Sequence, residues 1–249
     1  MKIEAYILAH NEEKLIPYIM RHYSQFADVI ILENNSTDKT VDIAHEMGAV
    51  VWKYNIPDSM DAQLQTTIKN ECWYDSKADW VMIVDADEFI YHPDIINVLA
   101  NSKATIIQPK MYNMFTDKFP TTKGQIYDEV NMGMDYRPQY FNYISNHTET
   151  PVNNKINIFK PSEIALINYY VGCHKAHPDG NVIIDEDSGI KTLHMKYLGK
   201  KYVIERHNRF LRRRSANNIF SGAGLHYNWS DEDTIKYINE CKAYLTKIV

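Results

Sequence analysis

Apolar residues in the first hundred positions fall into short runs, and each run is followed by a polar stretch and then by apolar residues at helical spacing. The runs occupy residues 3–8, 29–32, 50–54 and 80–84. Pro17 suits the first turn of a helix that begins near Ile16, and Gly48 suits the end of the helix that carries Val41 and Ala44. Repeated strand-and-helix units of this kind predict an α/β fold with a parallel, doubly wound sheet.

The third helix is predicted to begin at Ser59, which can cap a helix that places Leu64, Ile68 and Cys72 on one stripe. Beyond residue 101 the periodicity weakens. Residues 105–108 predict a further strand, and residues 109–151 predict irregular structure that covers a site. Short strands are predicted at residues 155–160, 164–172 and 182–184, and helices at residues 197–214 and 231–247.

Polar residues follow three of the predicted strands, at the point where each strand ends. These loops are residues 9–13, 33–38 and 85–88. In open parallel sheets the carboxyl ends of the strands share one edge, and ligands bind beyond that edge. The three loops are therefore expected to form one site.

The loop after the fourth strand carries two carboxylates, Asp85 and Asp87, two positions apart. Carboxylates placed this close repel each other unless a cation or a proton lies between them. Hard oxygen ligands with open positions suit Mg²⁺ or Mn²⁺, while an acidic solvated turn is the plain alternative. A helix-loop-helix calcium site is excluded because Ile90 stands where that loop needs glycine, and Phe89 argues against a phosphatase of the haloacid-dehalogenase type.

Composition narrows the class of protein. The 249 residues are 45% hydrophobic, enough for one large α/β domain, and the net charge of −5 argues against a general nucleic-acid binder. Three widely spaced cysteines, Cys72, Cys173 and Cys241, support neither a disulfide framework nor a zinc cluster. The N-terminal apolar run is too short for a signal peptide, and no stretch is long enough to span a membrane, so we expect a cytoplasmic protein.

Three sequence pieces stand in a specific order: AHNEE after the first strand, NNSTDKT after the second and VDADEF after the fourth. Together they resemble family-2-like glycosyltransferases of the GT-A fold, especially a bacterial group with a DxDEF-type metal motif. The resemblance is strong over residues 1–100 and weaker beyond, where it rests on VGCHKA and LHMKY. It implies a Rossmann-related, mainly parallel central sheet flanked by helices, with helical C-terminal additions.

The resemblance also implies transfer of a sugar from a nucleotide-sugar donor, first of all a UDP-sugar, in cell-surface polysaccharide or lipopolysaccharide synthesis. The acceptor would be a glycan or a lipid-linked glycan. The chain would form a single domain over residues 1–249, with a nucleotide-sugar-binding half at residues 1–104. Residues 105–198 would form the acceptor-side and metal-site half, and residues 199–249 the C-terminal helices.

In this family Asp87, with Asp85, would hold Mn²⁺ or Mg²⁺ against the donor diphosphate. His194 is the first candidate for a further metal ligand and His174 the second; a histidine packed for structural reasons is the alternative for each. Lys196 or Lys175 would meet a diphosphate oxygen. Most relatives carry Asp-Asp or Asp-Asn where this chain has Glu33-Asn34. The implied donor contacts are Ala9, His10, Asn11, Glu12, Glu33, Asn34, Asp38, Asp85 and Ala86.

An inverting enzyme needs a carboxylate that takes the proton of the acceptor hydroxyl. Asp128 and Glu129 are the first candidates, with Asp185 and Asp187 behind them, and inversion itself is implied by the resemblance alone. A basic helix could make peripheral contact with a membrane, although a solvated helix face is the plainer interpretation. Its cationic residues are Arg206, Arg209, Arg212, Arg213 and Arg214.

Two other functions remain open at this stage. A nucleotidyltransferase shares the fold and the metal-diphosphate chemistry, but it normally has a glycine-rich loop after the first strand, where this chain has His10-Asn11-Glu12-Glu13. A non-catalytic nucleotide- or sugar-binding protein of the same fold is the second alternative, and metal-dependent donor hydrolysis would separate it from an enzyme.

Overall fold

The computed structural model describes residues 1–54, 61–138, 149–151, 154–215 and 228–249. The chain divides into two compact units, which we call the first unit (Met1–Lys110 with Asn154–Thr192) and the second unit (Met111–Asn153 with Leu193–Val249). Residues 105–198, expected as one half, are divided between these units. The organisation as a single domain stays a prediction.

Strands and helices alternate in the first hundred residues and mix less regularly afterwards. The strands are β1 Ile3–Ala9, β2 Asp28–Glu33, β3 Val50–Lys53, β4 Trp80–Asp85, β5 Glu88–Tyr91, β6 Ile106–Ile107, β7 Lys110–Thr116, β8 Met132–Met134, β9 Tyr136–Pro138, β10 Glu149–Pro151, β11 Ile158–Phe159, β12 Ile164–Leu166, β13 Asp179–Gly180, β14 Ile184–Asp185, β15 Lys191–Leu198 and β16 Thr246–Lys247. The helices are α1 Ile16–Tyr23, α2 Thr40–Glu46, α3 Ala62–Glu71, α4 Ile95–Asn101, α5 Lys200–Arg213 and α6 Asp231–Cys241.

The first unit is built on a seven-stranded sheet with the strand order β14-β6-β11-β4-β1-β2-β3. Strands β4, β1, β2 and β3 are mutually parallel, and the register pairs Leu8 with Asp85 and Ala9 with Glu33. The carboxyl ends of β1, β2 and β4 are therefore level. The predicted α/β fold class, with a mainly parallel central sheet flanked by helices, is confirmed.

One strand of this sheet runs the other way. Strand β11 is antiparallel to both β4 and β6, with Ile158 opposite Met82 and Phe159 opposite Val81. Continuing this register backwards brings Lys155 level with Asp85. The residues just before β11 therefore reach the edge where the parallel strands end, which no local pattern in the sequence indicates.

The helices of the first unit follow the predicted apolar spacing. Helix α1 has Pro17 in its first turn, as predicted, and buries Ile16, Ile19 and Tyr23. The cap of α3 is Asp61, whose carboxylate accepts from the backbone N–H groups of residues 63 and 64 at 2.9 and 3.1 Å. The predicted cap, Ser59, lies outside the described residues. A buried apolar cluster from β1, β2, β4, β6 and the segment 159–173 forms the core under the sheet.

The second unit corrects several predictions. Residues 109–151, expected to be irregular, contain β7, β8, β9 and β10. In the second unit, β16, β8, β7 and β15 are neighbouring strands of one sheet, in that order. The helix predicted from residue 197 begins at Lys200, because Tyr197 belongs to β15 and Gly199 turns the chain with a φ of 85°. The last predicted helix ends at Cys241 and is followed by a 3₁₀ turn, Lys242–Tyr244, and β16.

In the first unit, the strands predicted at residues 155–160 and 164–172 are also shorter than expected, since β11 has two residues and β12 ends at Leu166.

The core of the second unit packs α5 and α6 against its sheet. Its buried members are Phe115, Met134, Tyr197, Val203, Tyr237, Ile238 and Cys241.

Candidate functional site

The loops after β1 and β2 are joined by hydrogen bonds at the carboxyl edge of the sheet. The backbone N–H of Asn34 donates to the carbonyl of Ala9 at 3.2 Å, and Nδ1 of His10 donates to the carbonyl of Asn34 at 2.6 Å. The structure therefore brings together the predicted donor contacts Ala9, His10 and Asn34.

The side chain of Asn11 and the backbone conformations of Asn11 and Asn35 shape the loops after β1 and β2. Asn11 and Asn35 have φ values of 52° and 53°, a conformation that asparagine tolerates better than most residues. Oδ1 of Asn11 accepts from the backbone N–H groups of Thr37 at 2.7 Å and Asp38 at 3.3 Å. This amide therefore links the end of one strand to the loop after the next.

Acidic side chains complete the same junction. Asp38 accepts from the N–H of Glu13 at 3.1 Å and of Thr40 at 2.9 Å, and the N–H of Glu12 donates to Oγ1 of Thr40 at 2.7 Å. The carboxylate of Glu33 accepts from the N–H of Ser36. These contacts give Asn11, Glu33 and Asp38 structural roles in the loops, and their part in binding a nucleoside stays a prediction.

The DADE turn, defined as Asp85 to Glu88, follows directly from β4 and leads into β5. Its placement beside β1 is fixed by the N–H of Ala86, which donates to the carbonyl of Leu8 at 3.1 Å. Within the turn, Oε2 of Glu88 accepts from the N–H of Asp85 at 3.2 Å. The chain turns after Asp85, where β4 ends.

Helix α1 supports the strand that follows the turn. Nε2 of His22 donates to the carbonyl of Ile90 at 2.8 Å, and the hydroxyl of Tyr23 donates to the carbonyl of Glu88 at 2.8 Å. Phe89 is fully buried, with its ring centroid 5.3 Å from that of His22. The aromatic residue of the DxDEF-type motif therefore anchors the turn in the core.

Two lysines that the sequence analysis did not select contact the turn. Nζ of Lys69, in the last turn of α3, lies 2.6 Å from Oδ1 of Asp85. Nζ of Lys155 lies 2.9 Å from Oδ2 of Asp85 and 2.6 Å from Oε1 of Glu88. The side chains of Lys69 and Lys155 are only 7% and 8% exposed, whereas that of Asp85 is 36% exposed. We call this set the lysine–carboxylate cluster: Lys69, Asp85, Glu88 and Lys155.

The charges in the cluster shift the ionisation of its members. Burial by itself would raise the pKa of the Asp85 carboxyl, but the ammonium groups of Lys155 and Lys69 outweigh it and hold that pKa well below its usual range. Burial would lower the pKa of Lys155, but the carboxylates of Asp85 and Glu88 outweigh it and raise that pKa well above the ordinary value. Asp85 and Lys155 are therefore both charged at neutral pH.

The predicted metal ligands differ in how they suit a divalent cation. Each carboxylate oxygen of Asp85 contacts one ammonium group, Lys69 on one side and Lys155 on the other. Lys155 reaches this edge because β11 is antiparallel to β4. Each oxygen keeps a second lone pair, so Asp85 stays a predicted metal ligand. Asp87 is a buried carboxylate in the same turn, and Mg²⁺ commonly uses one or two carboxylates together with substrate phosphates and water. Asp87 therefore fits such a cation.

The remaining predicted site residues are divided between the two units. His174 is exposed in a turn of the first unit, next to Cys173, which has a φ of 59°. His194 and Lys196 are half-buried on β15, and Asp128 and Glu129 are exposed in the second unit. The carboxylate of Asp128 accepts from the N–H of Gln125, and that of Glu129 from the N–H of Thr121. In the described parts of the chain, no group of three or more His, Cys, Asp or Glu residues is arranged to hold a metal ion.

Comparisons with known proteins agree with the sequence resemblance over part of the chain. No protein-family model matches. A protein of Rickettsia bellii described as an uncharacterized glycosyltransferase is 36% identical over 92 residues, which span 35% of this chain and 28% of that protein. This likeness confirms the resemblance to glycosyltransferases over those residues, and the chain spans under a third of the relative's length.

Solved structures give weaker likenesses. Glucosyl-3-phosphoglycerate synthase of Mycobacterium tuberculosis, in complex with Mn²⁺, UDP-glucose and phosphoglyceric acid, has a TM-score of 0.34 and 20% identity, with 44% of each chain covered. Mannosyl-3-phosphoglycerate synthase of Rubrobacter xylanophilus has a TM-score of 0.34 and 15% identity, covering 45% of this chain and 41% of that one. Likenesses at this level carry no argument about what this chain binds or does.

Helix α5 carries the predicted basic run, and the guanidinium groups of Arg206 and Arg209 lie 4.9 and 5.7 Å from the ring centroid of Phe210. Among the described helices, none has the length and the apolar character needed to cross a membrane. Contact of α5 with a membrane surface stays a prediction.

Proposed function

We propose that this protein is a metal-dependent glycosyltransferase that moves a sugar from a nucleotide-sugar, with UDP-sugars as the first donors to test, to a glycan or lipid-linked glycan. The proposed pathway is the synthesis of cell-surface polysaccharide or lipopolysaccharide. Inversion at the transferred sugar is part of the proposal and rests on the sequence resemblance.

The observation that carries the proposal is the arrangement at one edge of the sheet. The loops after β1 and β2 are hydrogen-bonded to each other, and the DADE turn after β4 is tied to β1 through Ala86 and Leu8. Ligands of open α/β sheets bind beyond this edge. The 36% identity over 92 residues to a protein described as an uncharacterized glycosyltransferase supports the same class of activity.

The residues at this edge have distinct proposed roles. His10, Asn11, Glu12, Glu33, Asn34 and Asp38 shape the nucleoside pocket through the contacts described above. Asp87, with Asp85, would hold Mg²⁺ or Mn²⁺, which would neutralise the charge that develops on the leaving nucleoside diphosphate. Asp85 and Glu88 keep the turn in place through Lys69 and Lys155.

A carboxylate must also accept the proton of the attacking hydroxyl. Asp128 and Glu129 are the proposed bases, and both are exposed on the surface of the second unit. His194, His174 and Lys196 remain proposed contacts to the metal or the diphosphate.

The test is a thermal-shift and hydrolysis screen of UDP-, GDP-, CMP- and dTDP-sugars, each with and without Mn²⁺. We expect one donor to raise the melting temperature only with metal and then to release its nucleotide slowly, since a bound ligand stabilises the folded state. Release of nucleotide would exclude the non-catalytic alternative. Turnover of a nucleoside triphosphate and a sugar phosphate, with no turnover of any nucleotide-sugar, would overturn the proposal in favour of a nucleotidyltransferase.

A further inference from the structure

The lysine–carboxylate cluster places two buried ammonium groups where a divalent cation is expected to load. We propose that Lys69 and Lys155 act as built-in counter-cations that weaken the binding of metal alone to the DADE turn, so that metal and donor diphosphate load together. This inference rests on the proposed function, because it concerns the regulation of the same site.

The contacts define the effect. Lys155 lies within 2.9 Å of one carboxylate and 2.6 Å of another, and Lys69 lies 2.6 Å from the second oxygen of Asp85. A cation that bound to Asp85 would face two ammonium groups at contact distance from its ligand. Like charges this close repel strongly when they are shielded from water.

The charge balance of the turn leads to the same conclusion. The two carboxylates of the cluster, Asp85 and Glu88, and its two ammonium groups balance each other in charge. A divalent cation by itself would make the cluster positive, whereas a cation with the two negative charges of a donor diphosphate would leave it balanced. Binding of the metal together with a diphosphate is therefore favoured over binding of the metal alone.

The lysines have little freedom to move away. Each is held by its element, Lys69 in α3 and Lys155 at the amino-terminal side of β11, and both are more than nine-tenths buried. An ammonium group that left its carboxylate would lose its ion pair in a poorly solvated place. The counter-cations therefore stay in place when a ligand arrives.

The experiment is a titration of the protein with Mn²⁺ alone, followed by the electron paramagnetic resonance signal of the free ion. The variants are Lys155→Met, Lys69→Met, Lys155→Arg and the double variant Lys155→Met/Glu88→Gln, each checked for folding by circular dichroism. We expect Lys155→Met and Lys69→Met to bind Mn²⁺ at least about tenfold more tightly than the unaltered protein. Lys155→Arg and the double variant keep the original net charge and are expected to stay within about threefold of it.

A companion thermal-shift measurement uses UDP and Mn²⁺ separately and together. The unaltered protein should show a larger shift with both than the sum of the separate shifts, and Lys155→Met should lose most of this excess. If both lysine-to-methionine variants are folded and bind Mn²⁺ no more tightly than the unaltered protein, the inference is wrong. Since the Mn²⁺ titration needs no donor, it separates this failure from the absence of donor turnover, which would overturn the proposed function alone.

Discussion

The two edges of the central sheet each hold a buried carboxylate cluster, and the two clusters are built differently. At the amino edge, Glu4 accepts from the hydroxyls of Tyr6 at 2.8 Å and Ser76 at 2.6 Å, and from Nζ of Lys2 at 2.5 Å. Lys2 is 51% exposed. At the carboxyl edge, Asp85 and Glu88 rely on lysines that are almost fully buried.

The difference separates a structural cluster from a candidate functional one. A single carboxylate with two hydroxyl donors and one exposed ammonium group is satisfied, and such a group adds stability without leaving charge for a ligand. The carboxyl edge pairs Asp85 and Glu88 with two lysines that are almost fully buried, and Asp87 is a further buried carboxylate of the same turn. Burial of that much charge is costly, so we interpret this edge as a candidate functional site rather than a structural one.

The largest expected effect comes from removing a buried cation. Lys155→Met should lower the free energy of unfolding by about 3–5 kcal/mol, because it leaves the buried carboxylate of Glu88 without its cation. Lys2→Met at the amino edge should change stability very little, since Lys2 is half in solvent. Urea denaturation of both variants measures the contrast, and equal losses would show that the two edges do not differ in this way.

The next effect concerns activity. Asp87→Asn should reduce metal-dependent donor hydrolysis by about a hundredfold to a thousandfold, the range found when one charge-stabilising group is removed from an active site. The fold should persist, because the change keeps the shape of the side chain. Glu4→Gln is the matched control and should keep full activity. A fully active Asp87→Asn protein would mean that the proposed metal ligand is wrong.

A pH titration tests how much His22, which supports the strand after the DADE turn, contributes to stability. Burial lowers the pKa of His22 from 6.5 to about 4, although its hydrogen bond to Ile90 opposes the shift. The unfolded chain therefore binds the proton more tightly, and the stability contributed by neutral His22 is complete above about pH 6.5 and is lost as the pH falls towards 4. The shift corresponds to about 3 kcal/mol.

The corresponding measurement is the urea midpoint at several pH values between 7 and 4. His22→Gln should flatten the loss of stability relative to the unaltered protein, while His45→Gln, on the exposed side of α2, should not. An unchanged slope in His22→Gln would show that this histidine does not contribute to the acid sensitivity.

The smallest expected effect is at the amino edge. Burial by itself would raise the pKa of Glu4, but its bonds to Lys2, Ser76 and Tyr6 outweigh burial and lower it. The contribution of Glu4 to stability is therefore present at pH values above the ordinary pKa of glutamate and is lost as the pH falls below that pKa. Glu4→Gln should cost about 1 kcal/mol, a typical net value for such hydrogen bonds. Melting curves should show that Glu4→Gln is less stable than the unaltered protein at pH 7 and that this difference disappears in the acid range.

The sequence predicts the elements whose signal is local. The four apolar runs of the first hundred residues became β1 to β4, and Pro17 and Gly48 lie where the helices begin and end. The loops expected to meet did meet, since a parallel sheet puts the ends of its strands at one edge. In β15 an available signal was missed: Leu193, Met195 and Tyr197 are buried while His194 and Lys196 are not, the alternation typical of a strand.

The lysine–carboxylate cluster could not be predicted in the same way. Lys155 contacts Asp85 because β11 is antiparallel to β4. The residues of a two-residue strand do not indicate whether it pairs parallel or antiparallel with its neighbours. Lys69 occupies the last turn of an amphipathic helix, where lysine is common for reasons unrelated to ligands. Asp128 and Glu129 were predicted as bases from their charge alone.

The antiparallel entry of β11 has a consequence for the order in which the chain folds. Lys69 is 16 positions from Asp85, but Lys155 is 70 positions away. While the protein is being synthesised, the first four strands emerge with Glu88 still lacking its buried cation. Closing so long a loop is slow compared with forming neighbouring contacts. The parallel half of the sheet therefore acquires its final stability only after the ribosome has passed residue 159, which makes β11 the segment that completes it.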